Sequence, residues 1–176
     1  MKIDLSQLDT EPLVFDERLS LEPERLGGGA VASPVAVRLE GEVRARGGVY
    51  TVLGRCRAEG ALACVRCLEP VAWRADERFS VEYRRATPGG GDAEVGLEED
   101  ELEVSFLDGD QLDLEELAVE QVLLALPMRT LCAEDCAGLC PRCGANRNLP
   151  DACSCAPEPD PRWQGLAGLA GRESDN

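Results

Sequence analysis

From Pro34 onward the chain alternates between apolar and polar side chains. Val35, Val37, Leu39 and Val43 fall between Arg38, Glu40, Glu42 and Arg44, the period-two pattern of a strand with one buried and one wet face. Gly47-Gly48 follows as a hairpin signal. Tyr50, Val52, Cys56 and Leu62 then share one face of a second strand, and Val71, Trp73, Phe79, Val81 and Tyr83 mark a third. These three runs predict an antiparallel meander, either open or curled into a barrel-like form. Upstream lie a short apolar stretch, Leu13-Val14-Phe15, and a flexible Gly27-Gly28-Gly29. Thr87-Pro88-Gly89-Gly90-Gly91 breaks the sheet, and Leu102, Val104 and Phe106 suggest one more short strand.

Asp113 then reads as a helix N-cap with Glu116 as its capping-box partner, and Pro127 as the stop. The helix between them, Leu114–Leu126, is apolar around most of its circumference, which predicts burial against the sheet. Beyond it lies a cysteine-rich segment, ending in a short amphipathic stretch with Trp163, Leu166 and Leu169. The expected fold is therefore α+β: a β-sheet meander packed with one main helix, plus a C-terminal Cys-rich zinc-binding segment. Residues 1–127 form the sheet-plus-helix domain, and residues 128–176 the zinc-knuckle tail with a short terminal helix.

Composition sharpens this picture. Of 176 residues, 44% are hydrophobic but only 4% aromatic, so the core must be built mainly of Val, Leu and Ala. No apolar run approaches the ~20 residues that span a bilayer, and Met1-Lys2-Ile3-Asp4-Leu5 opens no secretory h-region. A cytoplasmic chain that avoids the membrane is expected. Its net charge of −16 is lopsided: residues 1–85 are close to neutral at −1, whereas residues 86–176 carry −15. From Asp92 to Glu120 there are 13 acidic side chains and no basic one. Such a surface repels phosphate backbones and attracts basic proteins.

There are nine cysteines and no histidine, which excludes histidine catalysis and histidine ligation. Six of the thiols crowd into Cys132-x3-Cys136-x3-Cys140-x2-Cys143-x9-Cys153-x-Cys155. In a reducing compartment, clustered thiols point to metal more than to disulfides. Zn2+ takes four ligands tetrahedrally, and soft thiolates suit it. Cys140-Pro141-Arg142-Cys143-Gly144 has the form of a zinc knuckle, in which two intervening residues turn both sulfurs onto one ion and Gly144 relieves crowding after the turn. Cys140, Cys143, Cys153 and Cys155 make the first candidate zinc site. Cys64-Val65-Arg66-Cys67, at the hairpin between the second and third strands, pairs with Cys132 and Cys136 as a second candidate site. Cys64 and Cys67 paired with Cys140 and Cys143, a redox-sensitive pair at Cys64/Cys67, and an iron–sulfur cluster remain alternatives. Cys56, between apolar neighbours, reads as a small buried hydrophobe.

No phosphate-binding loop, dinucleotide fingerprint or nucleophile elbow occurs, so no enzymatic activity is expected. The run Glu98-Glu99-Asp100-Glu101 reads as a solvated loop rather than a cation site or an acid–base pair. Arg44, Arg46, Arg55, Arg57, Arg74 and Arg84 lie mostly toward the wet face of the sheet and offer a modest RNA-contacting patch, set against the plainer reading of a mixed-charge surface.

The order of features resembles the YceD family of large ribosomal RNA subunit accumulation proteins. The resemblance runs from the alternating strands and Cys64-x-Arg66-Cys67-Leu68 through Leu112-Asp113-Leu114 and the stretch Glu120–Pro127. It continues through Leu131-Cys132, Gly138-Leu139-Cys140-Pro141-x-Cys143-Gly144, Asn146-x-Asn148, Cys153-x-Cys155 and Asp160-Pro161-Arg162-Trp163. It implies a non-enzymatic factor for synthesis, processing or stability of 23S ribosomal RNA and for large-subunit assembly. The acidic surface then suggests a basic large-subunit ribosomal protein, or the pre-ribosomal particle carrying it, as partner, with RNA protected indirectly. Direct RNA binding by a zinc protein and a zinc- or redox-responsive regulator are the competing readings, and no RNA-binding residues are assigned.

Overall fold

A computed structural model describes residues 1–6, 8, 11–85, 104–107, 109–155 and 162. The three alternating runs become the centre of a five-stranded sheet. The strands are β1 (Lys2–Asp4), β2 (Leu13–Leu21), β3 (Val35–Arg46), β4 (Val49–Ala63), β5 (Pro70–Arg85), β6 (Val104–Leu107) and β7 (Gln111–Asp113). The large sheet has the order β2-β3-β4-β5-β6, and β1 pairs separately with β7. Gly47 and Gly48, at φ +59 and +82, form the two-residue turn that sets β3 against β4 in register, with Arg46 opposite Val49.

Two expectations need correcting. The sheet is open, with β2 and β6 as its two edges, and not barrel-like. It is not a pure meander either, because β6 runs parallel to β5, pairing Glu82 with Val104 and Arg85 with Leu107. Leu102, expected in this strand, lies outside the described residues. The expected burial of α1 (Leu114–Ala125) against the sheet is borne out, along one side of the helix. Leu114, Leu117, Ala118, Gln121 and Val122 are covered, while Leu123 and Leu124 face outward.

The core lies between the inner sheet face and α1. Val35, Val37, Leu39 and Val43 meet Val52, Cys56, Ala58 and Leu62, and Leu114, Leu117 and Val122 close the layer. Cys56 is buried there as expected, and burial pushes its thiol up to about 11. Asp113 caps α1 by accepting a hydrogen bond from Glu115 N at 3.0 Å. Across the sheet, Phe15, Gly41, Gly54 and Phe79 form one row of neighbours. Both rings lie over the glycine pair, filling the space that side chains would otherwise take.

A second, smaller cluster sits beyond the sheet, where Cys64, Cys67 and Cys136 are buried with Val71, Leu131 and Leu139 packed around them. The terminal helix expected around Trp163 lies outside the described residues. Among the described residues, no helix is long and apolar enough to cross a membrane.

Candidate metal centres

Two groups of four thiols form where the chain reverses direction. The first begins at the end of β4. Cys64 N donates to Glu69 O (2.9 Å) and Leu68 N donates back to Cys64 O (2.9 Å), closing a tight turn that carries Cys64 and Cys67 on its inside. The segment after α1 is stitched to this turn by Val65 N to Thr130 O (3.0 Å) and Leu139 N to Arg66 O (3.0 Å). The Arg66 guanidinium donates to the Cys136 carbonyl at 2.8 Å. These bonds bring Cys132 and Cys136 onto Cys64 and Cys67, with all four sulfurs within 4.8 Å of one another.

The second group repeats the first. Cys140 N donates to Ala145 O (2.8 Å) and Gly144 N donates to Cys140 O (2.8 Å), so this turn has the same two bonds at the same spacing. Cys153 and Cys155 complete it, again with four sulfurs within 4.8 Å. The structure therefore brings together both four-cysteine sets expected from the spacing. Cys64 and Cys67 meet Cys132 and Cys136, not Cys140 and Cys143.

The separations fit an ion better than a disulfide. A disulfide needs about 2.05 Å between sulfurs, whereas Cys64 and Cys136 stand 3.8 Å apart and Cys67 and Cys132 3.5 Å. Four thiolates held ~2.3 Å from a central Zn2+ lie about 3.8 Å from one another. All nine cysteines are free thiols. Charge points the same way. Backbone amides of Cys67, Arg66 and Cys132 aim at the Cys64 sulfur and bring its thiol down to about 6. The amides of Cys143 and Arg142 do the same for Cys140, also to about 6. Donors that favour a thiolate are misplaced around an inert, neutral thiol. Their neighbours move the other way. Cys132 is pushed up to about 12, chiefly by Cys136, and Cys155 to about 12, chiefly by Cys143. Four sulfurs this close cannot all ionise without a cation among them, and a divalent ion resolves the conflict.

The two sets differ in exposure. Cys64, Cys67 and Cys136 are buried, whereas Cys143, Cys153 and Cys155 are exposed. The first set joins the sheet to the tail, while the second lies wholly within the tail. The repeated turn is a feature that the sequence reading missed. Its signal is present as Cys-x-Arg-Cys at both places, but the closing residue differs, Leu68 in one turn and Gly144 in the other.

The arginines considered for RNA contact are largely engaged with carboxylates. Arg55 makes a two-pronged pair with Asp76, Arg57 reaches Glu40 at 2.9 Å, Arg44 meets Glu42, and Arg74 lies 3.8 Å from Glu59. Arg38 grips Asp16 through two bonds of 2.9 and 2.7 Å. The outer sheet face is a cross-strand ladder of opposite charges more than a free cationic patch.

Comparison with known proteins agrees with this layout. Residues 52–170, which include both thiol sets, match the profile of the family described as large ribosomal RNA subunit accumulation protein YceD. An uncharacterized protein of Mycobacterium tuberculosis (strain H37Rv) is 31% identical over 186 aligned positions, covering 99% of this chain and 84% of the relative. A Mycobacterium bovis protein, also uncharacterized, matches to the same extent. The chloroplastic YCED homolog 1 of Zea mays, named as a large ribosomal RNA subunit accumulation protein, is 27% identical over 191 positions, covering 96% of this chain and 63% of that protein. No solved structure matches.

Proposed function

The chain belongs to the YceD family of large ribosomal RNA subunit accumulation proteins, and from there we propose that it is a non-enzymatic, zinc-bearing cytoplasmic factor that supports 23S ribosomal RNA by holding a basic large-subunit ribosomal protein. The family name and the Zea mays relative supply the link to ribosomal RNA. The observation that carries the choice of partner is the distribution of charge. Residues 86–176 hold a net −15, and Asp113, Glu116 and Glu120, against Lys2 as the single cation among the described residues there, line a cleft beside Tyr83. Meanwhile Arg38, Arg44, Arg55, Arg57 and Arg74 of the sheet spend their charge on carboxylates within the chain. A molecule so arranged is steered toward cations and away from phosphate.

Zinc serves the fold in this reading. Cys64, Cys67, Cys132 and Cys136 would hold one ion and Cys140, Cys143, Cys153 and Cys155 another. Each set is closed by four thiolates, the form of a structural site with no open position for substrate. The first ion would fix the tail against the sheet, and the second would close the tail's own loop.

The test is affinity capture of the tagged protein from lysate, with and without ribonuclease. Large-subunit ribosomal proteins should be recovered equally in both arms, and recovery should fall as salt rises. Capture that disappears after ribonuclease, together with binding of naked 23S fragments by the purified protein, would replace this reading with direct RNA binding.

A further inference from the structure

Asn148 stands between the two thiol sets. It belongs to the loop that joins Cys143 to Cys153, two ligands of the second set, yet its side chain points at the first. Its Nδ2 donates to Cys136 Sγ at 3.3 Å and to Asn146 Oδ1 at 2.7 Å, and its Oδ1 accepts from Ala137 N at 2.8 Å. The neighbours reinforce this placement. Asn146 Oδ1 also accepts from Asn148 N (3.0 Å), and Asn146 Nδ2 donates to Glu69 Oε1 (3.3 Å) on the first turn. Arg147 N donates to Gly138 O at 2.8 Å. Three consecutive residues of the second site's loop thus brace the first site.

We propose that Asn148 couples the two sites, so that an ion held by Cys140, Cys143, Cys153 and Cys155 strengthens retention of the ion held by Cys64, Cys67, Cys132 and Cys136. This rests on the reading of both sets as metal sites. The physical route is short. An ion at the second set pins both ends of the loop and lowers the entropy cost of holding Asn148 in place. Asn148 then donates to a ligand sulfur and spreads its negative charge, as donors behind metal ligands do. Asn148 is a positioning residue and not a ligand. Thermodynamic linkage requires the coupling to be mutual, so loss of the first site must weaken the second by the same factor.

Zinc release to an excess of a chromophoric chelator tests the coupling. The wild-type protein should bind two Zn2+ and release them in two phases, the slower from the buried first set. Asn148→Ala keeps all eight ligands. It should still bind two ions, with the slow phase faster by about 10-fold. Asn148→Asp retains the acceptor for Ala137 but loses the donor to sulfur, and should release at least as fast as Asn148→Ala. The double variant Cys153→Ser/Cys155→Ser should hold one ion and release it at the Asn148→Ala rate. Arg147→Ala changes a side chain on the same loop that makes none of these bonds, and should behave as wild type. An unchanged slow phase in Asn148→Ala, with two ions bound, overturns the coupling and leaves the metal sites standing. Wild-type protein that binds no metal overturns both.

Discussion

Leu68 and Gly144 occupy the same position in two equivalent turns. Each follows the second cysteine of a Cys-x-x-Cys step, each donates its N–H to the carbonyl of the first cysteine, and each has a left-handed backbone, at φ +63 and +73. Glycine adopts that conformation freely, whereas an L-residue pays about 1–2 kcal/mol for it. Leu68 is also exposed, so little packing offsets its strain.

The two positions should therefore respond in opposite ways. Gly144→Ala should destabilise the tail by about 1 kcal/mol. Leu68→Gly relieves strain at the cost of extra freedom in the unfolded chain, and should be neutral to stabilising by up to about 1 kcal/mol. Zinc retention against a competing chelator, measured for each variant, reads the difference. A loss of retention in Leu68→Gly comparable to that in Gly144→Ala would mean that the turns are not equivalent.

The glycine pair at the centre of the sheet should tolerate nothing larger. A Cβ on Gly41 would come within 2.8 Å of Gly54 Cα and 2.9 Å of the Phe15 ring. One of those contacts is backbone and cannot swing away. Gly41→Ala should cost about 3 kcal/mol, measured as a fall in the urea midpoint with the slope unchanged. Phe15→Ala alone should also destabilise, by about 3 kcal/mol. Made in the Gly41→Ala background it should cost less, because the clash with the ring has gone.

Long elements with a clean period were legible in the sequence; elements whose signal lies in tertiary pairing were not. β3, β4 and β5 stood out because their apolar residues alternate over many positions. β2 did not, since Asp16-Glu17-Arg18 interrupts its middle and only the structure shows Arg38 taking up Asp16 across the strand. Nothing in Val104-Ser105-Phe106-Leu107 tells which way it will run beside β5. The apolar circumference of α1 told of its burial against the sheet, but not which of its leucines, Leu123 and Leu124, would stay exposed. At the thiol sites, spacing alone named the eight cysteines. Asn146-x-Asn148 stood in the sequence without a role, because spacing does not show that Asn148 bonds the distant Cys136 sulfur.

Cys56 should behave unlike the other eight thiols. It lies in the core among Val, Leu and Ala, and burial holds its thiol near 11. In the folded protein it should resist alkylation until global unfolding, as read by peptide mass mapping. A raised pKa favours the folded state below the ordinary thiol value of 9.0, and that contribution fades as pH climbs toward about 11. Between pH 8 and 10 the wild type should therefore lose more stability than Cys56→Ala, by about 1 kcal/mol. Equal pH slopes for the two proteins would show that Cys56 ionises as freely folded as unfolded.

Metal loss should unfasten the tail without unfolding the sheet. The cluster around Val35, Val52 and Leu117 shares no residue with the one around Cys64, Cys67 and Cys136. The first needs no ion to be buried, while the second is largely thiol and has little apolar surface to hold it once the sulfurs are free. Cys64→Ser and Cys140→Ser should each lower the zinc content of protein purified without added metal from two ions to one. Cys64→Ser should also open the region after Pro127 to protease, because its site is the one that reaches back to the β4–β5 turn. Cys140→Ser should loosen chiefly the residues between Cys140 and Cys155. In both variants the far-ultraviolet signature of the sheet should persist, with the main melting transition nearly unmoved. If either substitution instead collapsed that transition, the ions would be holding the whole fold and not its appendage.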